Sequence, residues 1–185
     1  LVEEVLKELH DGMRVLDMCT GSGCILLSLL HYSNDCEGLG VDLSAEALEV
    51  AGRNVLKVLT PEKAEHAHFL QSDLFEKVEG KFEIIVSNPP YIASAEVEKL
   101  MPEVRDHEPR MALDGTEDGL YFYRRIIEEA GKHLVSSGML FFEIGYDQGQ
   151  AVSELMRTEG YCEVQVVQDY AGLDRVVLGT YFERN

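Results

Sequence analysis

Cations are scarce in this sequence. Lys and Arg number 16 against 34 Asp and Glu, a formal charge of −18 at pH 7. A surface this acidic repels a phosphate backbone, and no Lys/Arg cluster offers a local exception, so direct nucleic-acid binding is not expected. Long apolar runs are missing too. None approaches the roughly 20 residues of a membrane span. Leu1 to Leu9 carries Glu3, Glu4, Lys7 and Glu8, a pattern unlike a signal peptide. No membrane association is expected. Cysteine is sparse and unpaired: Cys19, Cys24, Cys36 and Cys162 form no C-x-x-C motif. They read as free thiols in a reducing cytoplasm. His66 and His68 alternate along a strand-like segment with no Cys or carboxylate cluster nearby in sequence, so they read as surface histidines and no metal is expected. The sequence also lacks internal repeats, low-complexity tracts and linkers.

What is present is a globular composition, 45% hydrophobic over 185 residues, enough for one domain with a substantial core. Apolar strands alternate with helical patterns. Val2, Val5, Leu6 and Leu9 share a helical face, and Arg14–Met18 reads as a strand. Cys24–Tyr32 is helical and almost wholly apolar. Gly38–Leu43 is a second strand. Ser44 is suited to cap a helix faced by Leu48, Ala51, Val55 and Leu59, which Pro61 should close. His66–Gln71 and Phe82–Ser87 are further strands. Pro89 to Gly119 is a long connection of little periodicity, and such connections are often functional. Leu120, Tyr123, Ile127, Ala130 and Leu134 mark another helix. The strand Gly138–Gly145 and the helix Ala151–Met156 follow, then the strands Tyr161–Gln168 and Val176–Phe182. The last two are joined without a helix and should lie antiparallel. The expected fold is α/β: a seven-stranded, mostly parallel sheet with an antiparallel last strand and helices on both faces.

Ligands of such sheets bind beyond the carboxyl ends of the strands. The first strand ends in Asp17-Met18-Cys19-Thr20-Gly21-Ser22-Gly23, a glycine turn opening directly onto a helix. The second ends in Asp42, which follows Gly23 at close to the ~20-residue interval of an acid that holds a ribose diol. Asp42 also stands where a carboxylate could cap the Ser44 helix. The third ends in Ser72-Asp73-Leu74. Asp73 could accept from an adenine amino group with Leu74 against the ring, or could merely begin a turn. The third glycine of a dinucleotide fingerprint is missing, Leu26 standing in its place, and no P-loop lysine is present. A nucleoside without a phosphate cradle fits best, and S-adenosylmethionine is such a ligand.

The fourth strand ends in Asn88-Pro89-Pro90-Tyr91. Two prolines hold the backbone extended and stiff. That presents the Asn88 side-chain oxygen and the Pro89 carbonyl as two fixed acceptors, with Tyr91 as a flat lid. Two acceptors and a lid suit a planar NH2, which adenine, cytosine and carboxamides all carry.

Together these residues resemble the class I S-adenosylmethionine-dependent methyltransferases. Within them the chain is similar to the protein-(glutamine-N5) methyltransferases of peptide chain release factors, the HemK/PrmC family. The resemblance rests on LDMCTGSGCILLSLL, VDLSAEALEVAGRN, QSDLF, VSNPPYI, HEPRMALDGTEDGLYFYRRII, FFEIGYDQG and DYAGLDRVVLG. It implies a cofactor site formed by Cys19, Thr20, Gly21, Ser22 and Gly23 with Asp42, Asp73, Leu74 and Asn88. It implies that Asn88, Pro89, Pro90 and Tyr91 hold the substrate glutamine of a Gly-Gly-Gln motif, and that S-adenosylhomocysteine is the product. The implied partner is a release factor in translation termination, and a monomer is expected. Two departures stand out. Cys19 replaces a glycine that many members have. The family's helical N-terminal domain is not expected within these 185 residues, which start at Leu1 rather than Met and read as a catalytic domain. The alternatives are an adenine amino-methyltransferase, which shares N-P-P-Y, and a cofactor-binding module without catalysis.

Overall fold

The computed structural model describes residues 1–102 and 109–183. Its strands are β1 (Arg14–Met18), β2 (Glu37–Asp42), β3 (Ala67–Gln71), β4 (Phe82–Ser87), β5 (Leu134–Glu143), β6 (Cys162–Gln168) and β7 (Asp174–Tyr181). They form one sheet in the order β3-β2-β1-β4-β5-β7-β6. The pairs from β3 through β5 are parallel, and β7 runs antiparallel to both neighbours. The expected architecture, including the antiparallel final hairpin, is the one observed.

Period-two alternation gives the sheet two cores, one per face. Val15, Ile84, Val86 and Phe141 point one way; Leu16, Met18, Ile85, Leu140 and Phe142 point the other. The first face is covered by α1 (Val2–Glu8), α2 (Cys24–Tyr32) and α3 (Ala45–Val58). The short α4 (Pro61–Ala64) follows, and two more short helices, α5 (Ser94–Val97) and α6 (Arg110–Leu113), lie in the long connection after β4. The second face takes α7 (Tyr121–Ala130) and α8 (Gly149–Thr158), which contribute Tyr123, Ile126, Ile127, Val152 and Met156.

Local chemistry sets the boundaries. Ser44 caps α3 by accepting from the Ala47 N–H at 3.1 Å. Pro61 ends one segment as expected but also opens α4 at its first turn, where its missing N–H costs nothing. Leu134 corrects the sequence reading. It continues the three-four spacing of α7, yet it is the first residue of β5 and pairs with Phe82. The helix stops at Ala130 because the chain turns through Gly131 to His133, whose carbonyl accepts from the Phe82 N–H at 2.8 Å. The strand's start is masked in the sequence by a bulge: Ser137 has φ 68 and the register shifts before Met139.

Two features of β1 and β2 set how α2 meets the sheet. Gly38 lets the helix approach closely, since a Cβ there would lie 2.7 Å from Leu26 Cδ1 and 3.0 Å from Leu30 Cδ1. Asp17 is wholly buried. Its Oδ2 accepts from the Thr20 hydroxyl at 2.6 Å and the Leu26 N–H at 3.2 Å, so it ties β1 to the first turn of α2. Its Oδ1 has no partner among the described residues. Burial drives the carboxyl up to about 7, with the Asp42 charge adding to it and the Thr20 and Leu26 bonds opposing it.

The Gly38→Val variant should lose about 1–3 kcal/mol of stability by overpacking, read from the shift in urea midpoint. Asp17 gives a pH-dependent expectation. Its folded pKa lies above the ordinary ~3.9, so its folded form holds a proton that the unfolded chain releases. The contribution of Asp17 to stability is therefore fully present below pH ~4, is lost as pH rises toward about 7, and is constant above it, a loss of order 4 kcal/mol. In Asp17→Asn this slope disappears, so the variant should gain on the parent between pH 5 and pH 8. A constant difference in urea midpoints across that range would refute the assignment.

Candidate functional site

Parallel strands deliver their carboxyl ends to one edge, where β1, β2, β3 and β4 open a cleft of about 320 Å³. The turn after β1 forms one wall. Cys19 and Gly21 take left-handed φ values of 60 and 55, and Gly23, at φ 77, caps α2. Gly21 requires its freedom from a side chain to make this turn. Cys19, Thr20, Gly21 and Ser22 line the cleft. Gly23 does not. It faces α3, where a Cβ would sit 3.1 Å from Ala51 Cβ, so its smallness serves helix packing.

Asp42, at the end of β2, accepts from the Gly21 N–H at 2.8 Å through Oδ2 and from the Ser44 N–H at 2.9 Å through Oδ1. Of the two sequence readings of this residue, the structure shows the one at the start of α3; Asp42 also lines the cleft. Each carboxylate oxygen keeps further acceptor capacity. Asp73 and Leu74 form the next section of wall. Asp73 Oδ1 receives the Arg125 guanidinium at 2.9 Å. Leu74 is buried with φ 47, an uncommon backbone state for a leucine that turns its side chain into the cleft lining.

Cys19 sits between Asp42 and Asp17. Burial, then those two charges, push its thiol up to about 12, and a hydrogen bond with Ser87 opposes them. It is a neutral thiol at physiological pH.

At the end of β4, the Ser87 hydroxyl donates to the Met18 carbonyl at 2.6 Å, locking the β1 and β4 exits together. Asn88 is exposed and lines the cleft with Pro90, while Pro89 is buried. Among the described residues, no backbone N–H is paired to the Pro89 carbonyl and no protein group claims the Asn88 amide. Tyr91 lies on the far side of the prolines, in a neighbouring groove of about 580 Å³ shared with Gln148, Tyr146 and Arg175. The structure thus gathers Cys19 to Ser22, Asp42, Asp73, Leu74, Asn88 and Pro90 around one cleft and puts Tyr91, expected as a lid, in the neighbouring groove instead.

Sequence reasoning missed several members of this site. Phe122, Met111 and Pro109 line the cleft from α7 and the long connection. Asp17 supports the turn from below; a lone acid inside the apolar run Arg14–Met18 was its available signal. The segment Leu113–Gly119 packs behind Asn88–Tyr91: the Ile92 N–H donates to the Leu113 carbonyl at 3.0 Å and the Gly115 N–H to the Ile92 carbonyl at 2.8 Å. His107, in the HEPRMALDG stretch, lies outside the described residues.

A glycine turn, an acid beyond the second strand and an apolar wall with an acid beyond the third have the size and polarity to hold a nucleoside. Comparisons with known proteins agree with a methyl-transfer scaffold. The family model of the methyltransferase small domain matches residues 1–104. The chain is 43% identical over 183 residues to the release factor glutamine methyltransferase of Thermodesulfovibrio yellowstonii, covering 96% of this chain and 64% of that protein. It spans 62 to 64% of the length of three such relatives. Among solved structures, it is similar to the release factor-specific protein-(glutamine-N5) methyltransferase of Alicyclobacillus acidocaldarius subsp. acidocaldarius, with 28% identity, a TM-score of 0.56, and 98% and 90% of the two chains covered. A methyltransferase from Pyrococcus furiosus shares the fold with a TM-score of 0.70 at 17% identity, over 98% of this chain and 82% of that one. The chain belongs to the methyltransferase small domain family.

Proposed function

We propose that this chain is the catalytic domain of an S-adenosylmethionine-dependent protein-(glutamine-N5) methyltransferase whose substrate is the Gly-Gly-Gln glutamine of a peptide chain release factor. The observation that carries this reading is the pair of acceptors, Asn88 Oδ1 and the Pro89 carbonyl, unclaimed among the described residues, at the exit of β4 beside the cleft. The names of the relatives support the choice of a glutamine as the group they hold. The −18 charge weighs against a nucleobase in DNA or RNA.

Cys19 to Ser22, Asp42, Asp73 and Leu74 would hold the methyl donor, with Asp42 toward the ribose hydroxyls and Leu74 against the base. When bound, the donor supplies an electrophilic methyl carbon on a sulfonium. The rest is done by the chain. A carboxamide nitrogen is a poor nucleophile because its lone pair is delocalised. Asn88 Oδ1 and the Pro89 carbonyl accept its two N–H groups and favour a pyramidal nitrogen. The same acceptors stabilise the positive charge that grows there as the N–C bond forms and the C–S bond breaks. The surplus proton leaves the nitrogen after transfer, so no strong base is needed. Tyr91 borders this position as a neutral phenol, its pKa raised by burial and then by Glu143.

Two measurements test this. Mass spectrometry of a release factor incubated with the chain and methyl donor should show one added methyl on that glutamine. In Asn88→Ala the rate should fall by about 10²–10³-fold, the typical cost of one transition-state-stabilising group. Undiminished methylation in Asn88→Ala would overturn the mechanism. Separately, Asp42→Asn should weaken S-adenosylhomocysteine binding by roughly 10–100-fold, the scale of a hydrogen bond to a charged group, as measured by calorimetry. Unaltered affinity would remove Asp42 from the donor site.

A further inference from the structure

We propose that Gln148 is a positioning residue for the amide-binding segment, setting the geometry of Asn88 and Pro89 by clamping the Tyr91 carbonyl. The inference rests on the reading of Asn88–Tyr91 as that segment.

The Gln148 carboxamide joins three pieces of chain. Its Nε2 donates to the Tyr91 carbonyl at 3.0 Å and to the Gly119 carbonyl at 3.3 Å. Its Oε1 accepts from the Gly145 N–H at 2.9 Å. The Tyr123 hydroxyl lies 3.5 Å from Oε1 and donates to the Glu143 carbonyl at 2.8 Å. Both amide protons and the oxygen are thus engaged. The loop after β4, the entrance to α7 and the turn after β5 meet on one side chain. Gln148 is itself anchored as the N-cap of α8, its carbonyl accepting from the Val152 N–H at 3.0 Å.

The backbone around the clamp is built for close approach. Gly119 has φ +71, and a Cβ there would overlap the Tyr91 carbonyl. A Cβ on Gly115 would lie 2.8 Å from both the Pro90 oxygen and Tyr91 Cα. The need for a clamp follows from the prolines. They stiffen φ but give up two N–H groups, so Asn88 to Pro90 cannot be tethered through donors at Pro89 or Pro90. The Tyr91 carbonyl is the first anchored acceptor beyond them. The Ile92 N–H of the same peptide unit stays on the Leu113 carbonyl at 3.0 Å, so losing the Gln148 bond leaves that unit held on one side alone. The Tyr91 carbonyl then tilts and takes the Pro89 carbonyl out of alignment with Asn88 Oδ1.

Two variants separate positioning from simple stability. Gln148→Met keeps length and removes every side-chain hydrogen bond of the carboxamide. Gln148→Glu keeps the acceptor for Gly145 but puts an oxygen where the two donors were. Around it stand Tyr91, Tyr123, Tyr146, Glu96, Glu143, Asp118, Asp147 and Arg175, of which Arg175 is paired with Asp169, Asp118 with Arg124 and Glu96 with Lys99. Three readouts apply: hydrogen exchange at the Ile92 and Ser94 amides in the chain without ligand, calorimetric affinity for S-adenosylhomocysteine, and kcat on a release factor.

Gln148→Met should speed exchange at both amides and lower kcat about 10–100-fold, as expected of a small misplacement of reacting groups, with S-adenosylhomocysteine affinity unchanged. Gln148→Glu should match it at pH 8 and regain part of its kcat relative to the parent as pH falls toward 5, approaching the ordinary ~4.3 of a glutamate, where a growing protonated fraction donates to Tyr91 again. Exchange that stays at the parent rate, a fall in kcat matched by an equal loss of affinity, or a flat pH ratio for Gln148→Glu would each overturn the proposal. Should the parent chain methylate no release factor, the functional reading fails, and exchange at Ile92 and Ser94 alone decides for or against the clamp.

Discussion

One carboxylate holds the cleft open in its working shape. Asp42 takes the Gly21 N–H with one oxygen and the Ser44 N–H with the other, so the turn leaving β1 and the helix entered from β2 cannot move independently. Both bonds are charge-assisted and belong to the stronger class of hydrogen bond. Beneath it, Asp17 fixes the same turn from inside the core through Thr20 and Leu26. The two acids differ in exposure, and the Asp42 charge adds to the upward push that burial gives Asp17. Asp42 lies at the cleft edge, while Asp17 is buried and pushed to about 7. A turn that must present bare backbone to a ligand is thereby held by side chains behind and beside it rather than by a ring of glycines.

Much of this was legible in the sequence because it depends on local rules. Arg14–Met18, Cys24–Tyr32 and Phe82–Ser87 have the boundaries that their apolar patterns predict, and the Ser44 cap is made as its chemistry requires. The strand ends could be read because a parallel sheet sends them all to one edge. What could not be read depends on partners distant in sequence. Leu134 fits a helical stripe until Phe82 is seen to claim the backbone beside it. Gly23 looks like part of a ligand loop until Ala51 is found against it. Asp73 reads as a free acceptor until Arg125, 52 residues on, pairs with it. Periodicity and motif spacing carry no term for such meetings.

The two halves of the site are stiffened by opposite means. At the turn after β1, proposed to hold the methyl donor, glycine freedom and two acids shape a turn from flexible backbone. At the exit of β4, proposed to hold the substrate amide, prolines remove freedom at the outset, and the chain must then be anchored where the prolines end. The connection after β4 performs that anchoring: its segment Leu113–Gly119 lies against Asn88–Ile92 through backbone bonds and glycine contacts. A long stretch with little periodicity was visible in the sequence. Its role as a backing plate was not, because hydrogen bonds between irregular segments leave no repeat.

The neutral state of Cys19 bears on the proposed chemistry. A thiolate lining a cleft that receives a sulfonium would be the strongest nucleophile present and a competitor for the methyl group. Positive surroundings would favour that thiolate. Here the neighbours are carboxylates. Burial and the charges of Asp42 and Asp17 hold the proton on sulfur, at a pKa of about 12. The acids that shape the turn therefore also keep its one thiol unreactive. In the proposed reaction, the nitrogen held by Asn88 and Pro89 then meets at Cys19 a protonated sulfur, whose lone pairs are far less nucleophilic than a thiolate's.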